Sequence, residues 1–500
     1  MLSRGIRMYL FLQLILFGTF LVADGICNAE EISADSNIRI TVDANDVKGS
    51  ISTMLTGVNM SYYYDSDKIW ADGKIAEYLH EVKAGILRYP GGVETSRFHW
   101  EIPEVDWYMD SWDPIASKGT DHCGGTAYMD TDDYIKQCRA VGAEPLIGVN
   151  IQSGIRFGRV ADSIKEAARW VKYCKDKNCK VKYWYLDNEP YWGSNVGPMT
   201  VEEYTGYIRQ FVPAMKAVDP NIKIIVDWHS LLSEPNYWAQ FEYMIEQAHK
   251  YIDIIDVHYY WAWGYCTWDM WLKDNPMKVR QWCRECPNQR YIGPSFAEEI
   301  RGFHEKIKDM GEDIKLASLE WNIAPNRDTE FSRFQHALMQ AEMLGQFIEG
   351  GLYMASMWPL TWTRGDLFGD FRTILYQENH EPTPIFYVFK LYSNILGQQL
   401  VASQANRSDI RPVAAISRDG KKLWVYLLNK EGDRQTFDAV IDINGFAASK
   451  VEAIAFTSQD LSSNVAELKE IAVSVNRSTG EWEGVLPSYS LTMLTFHKEN

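Results

Sequence analysis

Eight short apolar runs, each followed by a polar stretch or one with helical periodicity, dominate the middle of the chain. They are Leu55–Met60, Gly85–Tyr89, Pro145–Ile151, Val181–Leu186, Ile222–Asp227, Ile252–Tyr259, Leu316–Trp321 and Leu352–Trp358. Between them, apolar residues recur every three or four positions over Ile75–Val82, Thr131–Val141, Ser163–Lys175, Thr200–Val218, Tyr237–Lys250, Gly293–Met310 and Phe331–Ile348. Runs that are apolar without alternation suit strands buried on both faces, the condition inside a parallel sheet covered by crossover helices. Eight such units in succession predict an α/β fold, a (β/α)8 TIM barrel over residues 51–397. A doubly wound open sheet has the same rhythm. It calls for a Gly-rich phosphate loop after the first strand, and Gly57-Val58-Asn59-Met60 is not one.

After Pro382-Thr383-Pro384 a last helix, Ile385–Leu396, ends at Gly397, and the period changes to two. Pro412–Ser417, an Asp419-Gly420 turn and Leu423–Leu428 predict a hairpin. Phe437–Ile443, Val451–Phe456, Leu468–Val475 and Ser490–His497 predict further strands, so residues 398–500 read as an all-β sandwich. Segment 30–50, with a strand at Asn37–Val42, is expected to join it. At the N-terminus Arg4 and Arg7 precede an apolar run from Met8 to Ala23, with small Ala29 at a plausible cleavage point. This pattern predicts a signal peptide over residues 1–29 and a secreted or periplasmic product, with no membrane attachment after cleavage. A membrane anchor is the alternative, but the run is short of the roughly 20 residues a span needs.

The 67 acidic against 50 basic residues give a net charge of −17, which argues against nucleic acid and anionic membranes as partners. The 19 Trp, 28 Tyr and 20 Phe imply either an unusually aromatic core or flat platforms for a ligand with flat apolar faces, as sugars have. Cys283-x-x-Cys286 and Cys174-x4-Cys179 have the spacing of local disulfides in an oxidising compartment. No second pair or His spacing completes a zinc site, so neither a metal nor an organic cofactor is expected. A phosphate loop and a Gly-x-Ser-x-Gly elbow are also missing from the sequence.

Barrel enzymes build their sites at the C-terminal ends of the strands. Those ends carry Arg88 on strand two, Asn150 on three, Asn188 and Glu189 on four and His229 after five. Strand six supplies His258 and Tyr260, strand seven Glu320 and strand eight Trp358. Two of these are carboxylates, and a facing carboxylate pair is what glycosidic bond cleavage requires: one protonated to release the leaving oxygen, one ionised to attack. Asn188 is placed to hydrogen-bond a sugar hydroxyl beside the reacting carbon. Tyr260 or His258 could hold Glu320 in position, and the charge of Arg88 could lower its pKa. His229 reads as structural rather than part of the site.

The strings LRYPGG (87–92), AARWVKYC (167–174), KYWYLDNEPY (182–191), DVHYY (256–260), LEWN (319–322) and PTPIFYVFKLY (382–392) resemble the clan A retaining glycoside hydrolases. Within that clan the chain most resembles family 51, the α-L-arabinofuranosidase group, with families 39 and 86 as neighbours. The likeness extends to LPSYSLTMLTF (486–496), similar to the closing sandwich strand of that group. It implies Glu189 as acid/base and Glu320 as nucleophile, with Asn188, His258 and Tyr260 lining the first subsite of an oligo- or polysaccharide hydrolase. Two positions depart from the family pattern. A Glu expected soon after Gly57 is absent from Gly57-Val58-Asn59-Met60-Ser61, and Val93 stands where Asn is expected. Those positions grip furanose hydroxyls, so an endo-acting hydrolase of agarase, porphyranase or xylanase type is the alternative, and a non-catalytic carbohydrate-binding protein a further one. The segment Tyr259 to Trp271 offers aromatic platforms for an extended cleft, or else a packed aromatic loop.

Overall fold

The computed structural model describes residues 38–62, 65, 67–102, 110–114, 129–323, 331–361, 373–432, 436–476 and 480–498. Residues 1–37, which include the segment expected to be a signal peptide and Cys27, and Cys123 lie outside them. Eight parallel strands close into a barrel: Gly57–Asn59, Ile86–Tyr89, Glu144–Val149, Tyr183–Leu186, Lys223–Trp228, Ile254–Val257, Lys315–Ile323 and Met354–Met357. Strand eight closes the ring by pairing with strand seven at Ala317↔Met354 and with strand one at Ser356↔Gly57. Inward residues of successive strands, among them Ile86, Leu146, Tyr185, Ile225, Ile254, Leu319 and Met354, form a core separate from the one under the helices. This two-sided burial is why the strands read as continuous apolar runs. Strand one slips between its neighbours because Gly57 has no side chain: a Cβ there would stand 2.5 Å from Ala355 O.

The helices start where their caps predict. Thr200 with Glu203, Ser295 with Glu298 and Ser332 with Gln335 form reciprocal capping boxes, each satisfying two otherwise orphaned backbone donors. Helix Arg333–Gly350 is buried nearly all round. It packs on the barrel with one face and on the strand region with the other, where Phe334 meets Phe456 at 5.3 Å. A buried ion pair, Lys430 Nζ to Glu342 Oε2 at 2.9 Å, joins the two parts at the same helix.

In the C-terminal region ten strands hydrogen-bond as one continuous ladder. Strand Ile38–Ser50 sits within it, antiparallel to Gln399–Ala405 and parallel to Thr436–Asn444, with register shifts between Asp43 and Gly49. Bulges of this kind bend a strand. The ladder folds over on itself as a sandwich: Leu423, Val425 and Phe496 from one part share a core with Ile441 and Leu486 from the other, and Trp482 meets Phe496 at 5.4 Å.

Several expected elements change. The run Leu468–Val475 divides into Glu467–Glu470 and Val473–Val475, which pair with different partners. Gly293 is not a helix start: Arg290–Ser295 is a strand, paired with Lys278–Trp282 in a hairpin after strand six, and the helix begins at Phe296. Strands Gln399–Ala405 and Trp482–Pro487 were not foreseen. Cys283 and Cys286 are disulfide-bonded, whereas Cys174 and Cys179 are buried thiols in hydrogen-bond contact rather than a disulfide. Among the described residues no helix is long and apolar enough to cross a membrane.

Candidate active site

Strand four ends in a strained turn. Asp187 and Glu189 both adopt left-handed backbone, with φ of 64° and 41°, which costs a non-glycine residue about 1–3 kcal/mol each. Buried hydrogen bonds hold that turn. The Asp187 carboxylate accepts from Ile151 N and Gln152 N at 2.8 Å and from Asn188 N at 2.7 Å, and Glu189 N donates to Asp227 Oδ2 at 2.6 Å. The turn thereby presents Asn188 and Glu189 to the barrel mouth.

Strand six is interrupted at His258. Its first part pairs with strand seven through Asp256 and resumes as Tyr259–Trp261 beside Trp321–Ile323. Across the gap Asp256 Oδ1 accepts from Leu319 N at 2.6 Å, replacing the missing ladder bond. This break turns His258 into the mouth, between the two glutamates. Its Nδ1 lies 2.9 Å from Glu189 Oε1 and 3.6 Å from Glu320 Oε2, and its Nε2 lies 3.2 Å from Asp256 and 3.5 Å from Asp227. Burial pushes the imidazole pKa down, but the carboxylates of Asp227, Glu320 and Asp256 outweigh it and hold it well above its ordinary value.

Glu320 is nearly buried on strand seven. Arg88 Nη1 donates to its Oε1 at 2.7 Å and the Tyr260 hydroxyl to its Oε2 at 2.8 Å. Burial favours the neutral acid; the charges of His258 and Arg88 and both hydrogen bonds overcome it and keep the pKa below the usual glutamate value. Arg88 is itself fully buried, 4.3 Å from the Tyr185 ring centroid, and also donates to Asn59 Oδ1 at 2.9 Å and Asn188 Oδ1 at 2.7 Å. The last bond fixes the Asn188 amide so that its buried Nδ2 is left without a partner among the described residues. Carboxylate oxygens of Glu189 and Glu320 come within 4.8 Å of each other. Among the described residues the Glu189 side chain meets His258 Nδ1 and the Tyr191 hydroxyl, the latter at 3.2 Å, both on Oε1.

Trp358 shares a small apolar contact with Tyr260, and its ring stands where a Cβ on Gly92 would be only 2.6 Å away, so the glycine makes room for it. The structure does not bring Asn150 to the pair. Its Nδ2 is spent on Phe98 O and Ser153 Oγ, and its Oδ1 accepts from Ser153 N at the start of a short helix. His229 stacks 4.1 Å from Tyr191, and burial, aided by Arg284, drives its pKa to about 3. Of the Tyr259–Trp271 aromatics, Tyr259, Tyr260, Trp261 and Trp271 are buried and Tyr265 and Trp268 pack on the core; Trp263 alone is exposed. Asn59, Asp187, Tyr191, Asp227 and Asp256 were not singled out in the sequence, although the three aspartates mark the ends of strands four, five and six. Two groups of metal-ligand type, Glu189–His258–Glu320 and Asp227–Asp256–His258, share His258, and in each the ligand atoms lie within 4.8 Å of one another.

Residues 78–267 match the family model described as "Alpha-L-arabinofuranosidase 1 domain". A probable α-L-arabinofuranosidase C of Aspergillus fumigatus is 28% identical over 179 residues, which are 30% of this chain and 31% of that one. An intracellular exo-α-(1→5)-L-arabinofuranosidase of Acetivibrio thermocellus is 25% identical over 303 residues, 54% of this chain and 56% of the relative. In fold, the arabinose complex of the α-L-arabinofuranosidase from Thermotoga maritima superimposes with a TM-score of 0.72, at 21% identity, over 92% of this chain and all of that one. The chain is close to the family 51 glycoside hydrolases. A family 44 xyloglucanase from Paenibacillus polymyxa shares the fold more distantly, with a TM-score of 0.63 at 16% identity over 93% of this chain and all of that one. The chain thus spans about a third to a little over half of the curated relatives it matches.

Proposed function

We propose that this protein is an exported, retaining glycoside hydrolase that acts on α-L-arabinofuranosyl linkages of plant or algal oligo- and polysaccharides. The observation that carries the proposal is the carboxylate pair across the barrel mouth, within 4.8 Å at its nearest oxygens, with one member held ionised by a buried arginine, histidine and tyrosine. A separation near 5 Å leaves no room for water between the pair and suits direct attack on the sugar. Glu320 attacks the anomeric carbon and forms a glycosyl ester while Glu189 gives its proton to the departing oxygen. Water then enters, Glu189 takes back a proton from it, and the ester is hydrolysed with net retention. Asn188 Nδ2, unpartnered and adjacent, donates to the hydroxyl next to the reacting carbon. Trp358 supports a sugar face. The arabinofuranosyl preference follows the matched domain and relatives, and export follows the N-terminal pattern.

The test is hydrolysis of a panel of aryl glycosides together with arabinan, xylan, galactan and agarose. Aryl α-L-arabinofuranoside is the expected substrate, and Glu320→Ala lowers its turnover by at least about a thousandfold. Glu189→Ala retains slow turnover of substrates with good leaving groups, and azide accelerates it to a glycosyl azide of retained configuration. Inversion at the anomeric carbon, or Glu189→Ala unchanged on every substrate, sinks the mechanism. Product lengths on arabinan separate exo from endo action.

A further inference from the structure

Past the turn that carries Glu189, and lined by the Tyr191 and Trp192 that follow it, lies a trough of about 320 Å3 that the chemistry above leaves unused. Its aromatic walls include Tyr191 and Trp192 after strand four, Trp228 and His229 at the end of strand five and Trp282 on the hairpin after strand six; residues 198–202 and Tyr237 and Gln240, at the starts of the helices after strands four and five, complete the lining. Its lining residues Tyr191 and Trp192 tie it to Glu189, the first at the carboxyl group and the second at the backbone carbonyl. Tyr191 donates to Glu189 Oε1, and Trp192 N donates to Glu189 O at 2.8 Å. Trp192 and Trp282 leave 44% and 37% of their surfaces exposed and stand 5.1 Å apart at their centroids, a large apolar area for a soluble surface. Burial lowers the His229 pKa to about 3, so that ring adds no charge to the trough; Glu202 also lines it. Arg284 and Glu285 line the same trough. The Cys283–Cys286 disulfide follows Trp282 directly, and Tyr237 donates to Glu285, which ties this segment down. Aromatic planes with a polar rim suit a sugar ring, whose C–H faces stack while its hydroxyls hydrogen-bond.

A general acid meets the departing oxygen, so the wall beyond Glu189 faces the part of the substrate that leaves. We propose that the Trp192–Trp282 trough is a leaving-group subsite, holding the sugar unit beyond the scissile bond and favouring oligosaccharides over small leaving groups. This rests on Glu189 being the acid/base. Trp263, 45% exposed and edge-on to Tyr260 at 5.0 Å, carries aromatic surface to the Glu320 part of the site, so a bound chain meets rings on both flanks of the pair.

The experiment compares α-(1→5)-linked arabinotriose with α-L-arabinofuranosyl fluoride, whose leaving group fills no sugar subsite. In Trp282→Ala, and separately in Trp192→Ala, the ratio of kcat/KM on the trisaccharide to that on the fluoride falls about tenfold. Trp282→Phe, which keeps a ring, recovers most of the ratio. If both substrates are turned over but neither alanine variant changes the ratio, the subsite is refuted while the catalytic reading stands. If the unaltered protein turns over neither substrate, the catalytic reading fails and takes the subsite with it.

Discussion

Tyr260→Phe tests whether Glu320 is kept ionised by its surroundings. The substitution removes one atom, the hydroxyl that donates to Glu320 Oε2 at 2.8 Å, and keeps the ring that packs on Trp263 and Trp358. A hydrogen bond to a buried charged group contributes about 1.5–3 kcal/mol. At about 1.4 kcal/mol per pKa unit, its loss raises the Glu320 pKa by about one to two units. Arg88 and His258 remain and still favour the anion, so the carboxylate ionises, only at higher pH. The assay is kcat/KM on an aryl α-L-arabinofuranoside across about pH 4–8, because the acid limb of that profile reports the free-enzyme group that must be ionised. The limb is expected to move up by about one to two pH units, with a plateau loss below about tenfold. An acid limb that does not move, in a variant that is folded and active, refutes a share for Tyr260 in holding the nucleophile ionised.

Lys430→Met removes the partner of buried Glu342 between barrel and sandwich; a loss of about 3–5 kcal/mol is expected in urea unfolding. The double variant Lys430→Met, Glu342→Met should lose much less, and equal losses would show that the ion pair itself is not the cause. A second stability effect is pH-dependent. His99 sits between Asp110 and Glu166; burial lowers its pKa, but those two hydrogen bonds and charges raise it from 6.5 to about 9. Because the folded value lies above the unfolded one, this stabilisation is full below about pH 6.5 and is lost as the pH rises through about 9, about 3 kcal/mol in all. His99→Gln should flatten the fall in unfolding free energy between those pH values, and an unchanged slope would place the loss elsewhere.

Local pattern was enough to read the barrel. A strand buried on both faces must be apolar throughout, and a helix covering it must be apolar on one side, so the eight units are visible without knowledge of what touches what. The strand ends followed from the same count, which is how Glu189 and Glu320 could be paired across 131 positions of chain. Strand-to-strand register and side-chain direction are not local. Asn150 and Asn188 both end a strand, yet one caps a helix while the other is turned by Arg88 toward the mouth. The aromatic run after strand six reads equally as a platform or as a packed loop; most of its rings are core, and an exposed aromatic pair lies instead at Trp192 and Trp282. The break at His258 and the left-handed turn at Glu189 are unfavourable for the isolated chain. They exist because Asp256, Asp187 and Asp227, each at the end of a different strand, supply hydrogen bonds that only a closed barrel brings within reach.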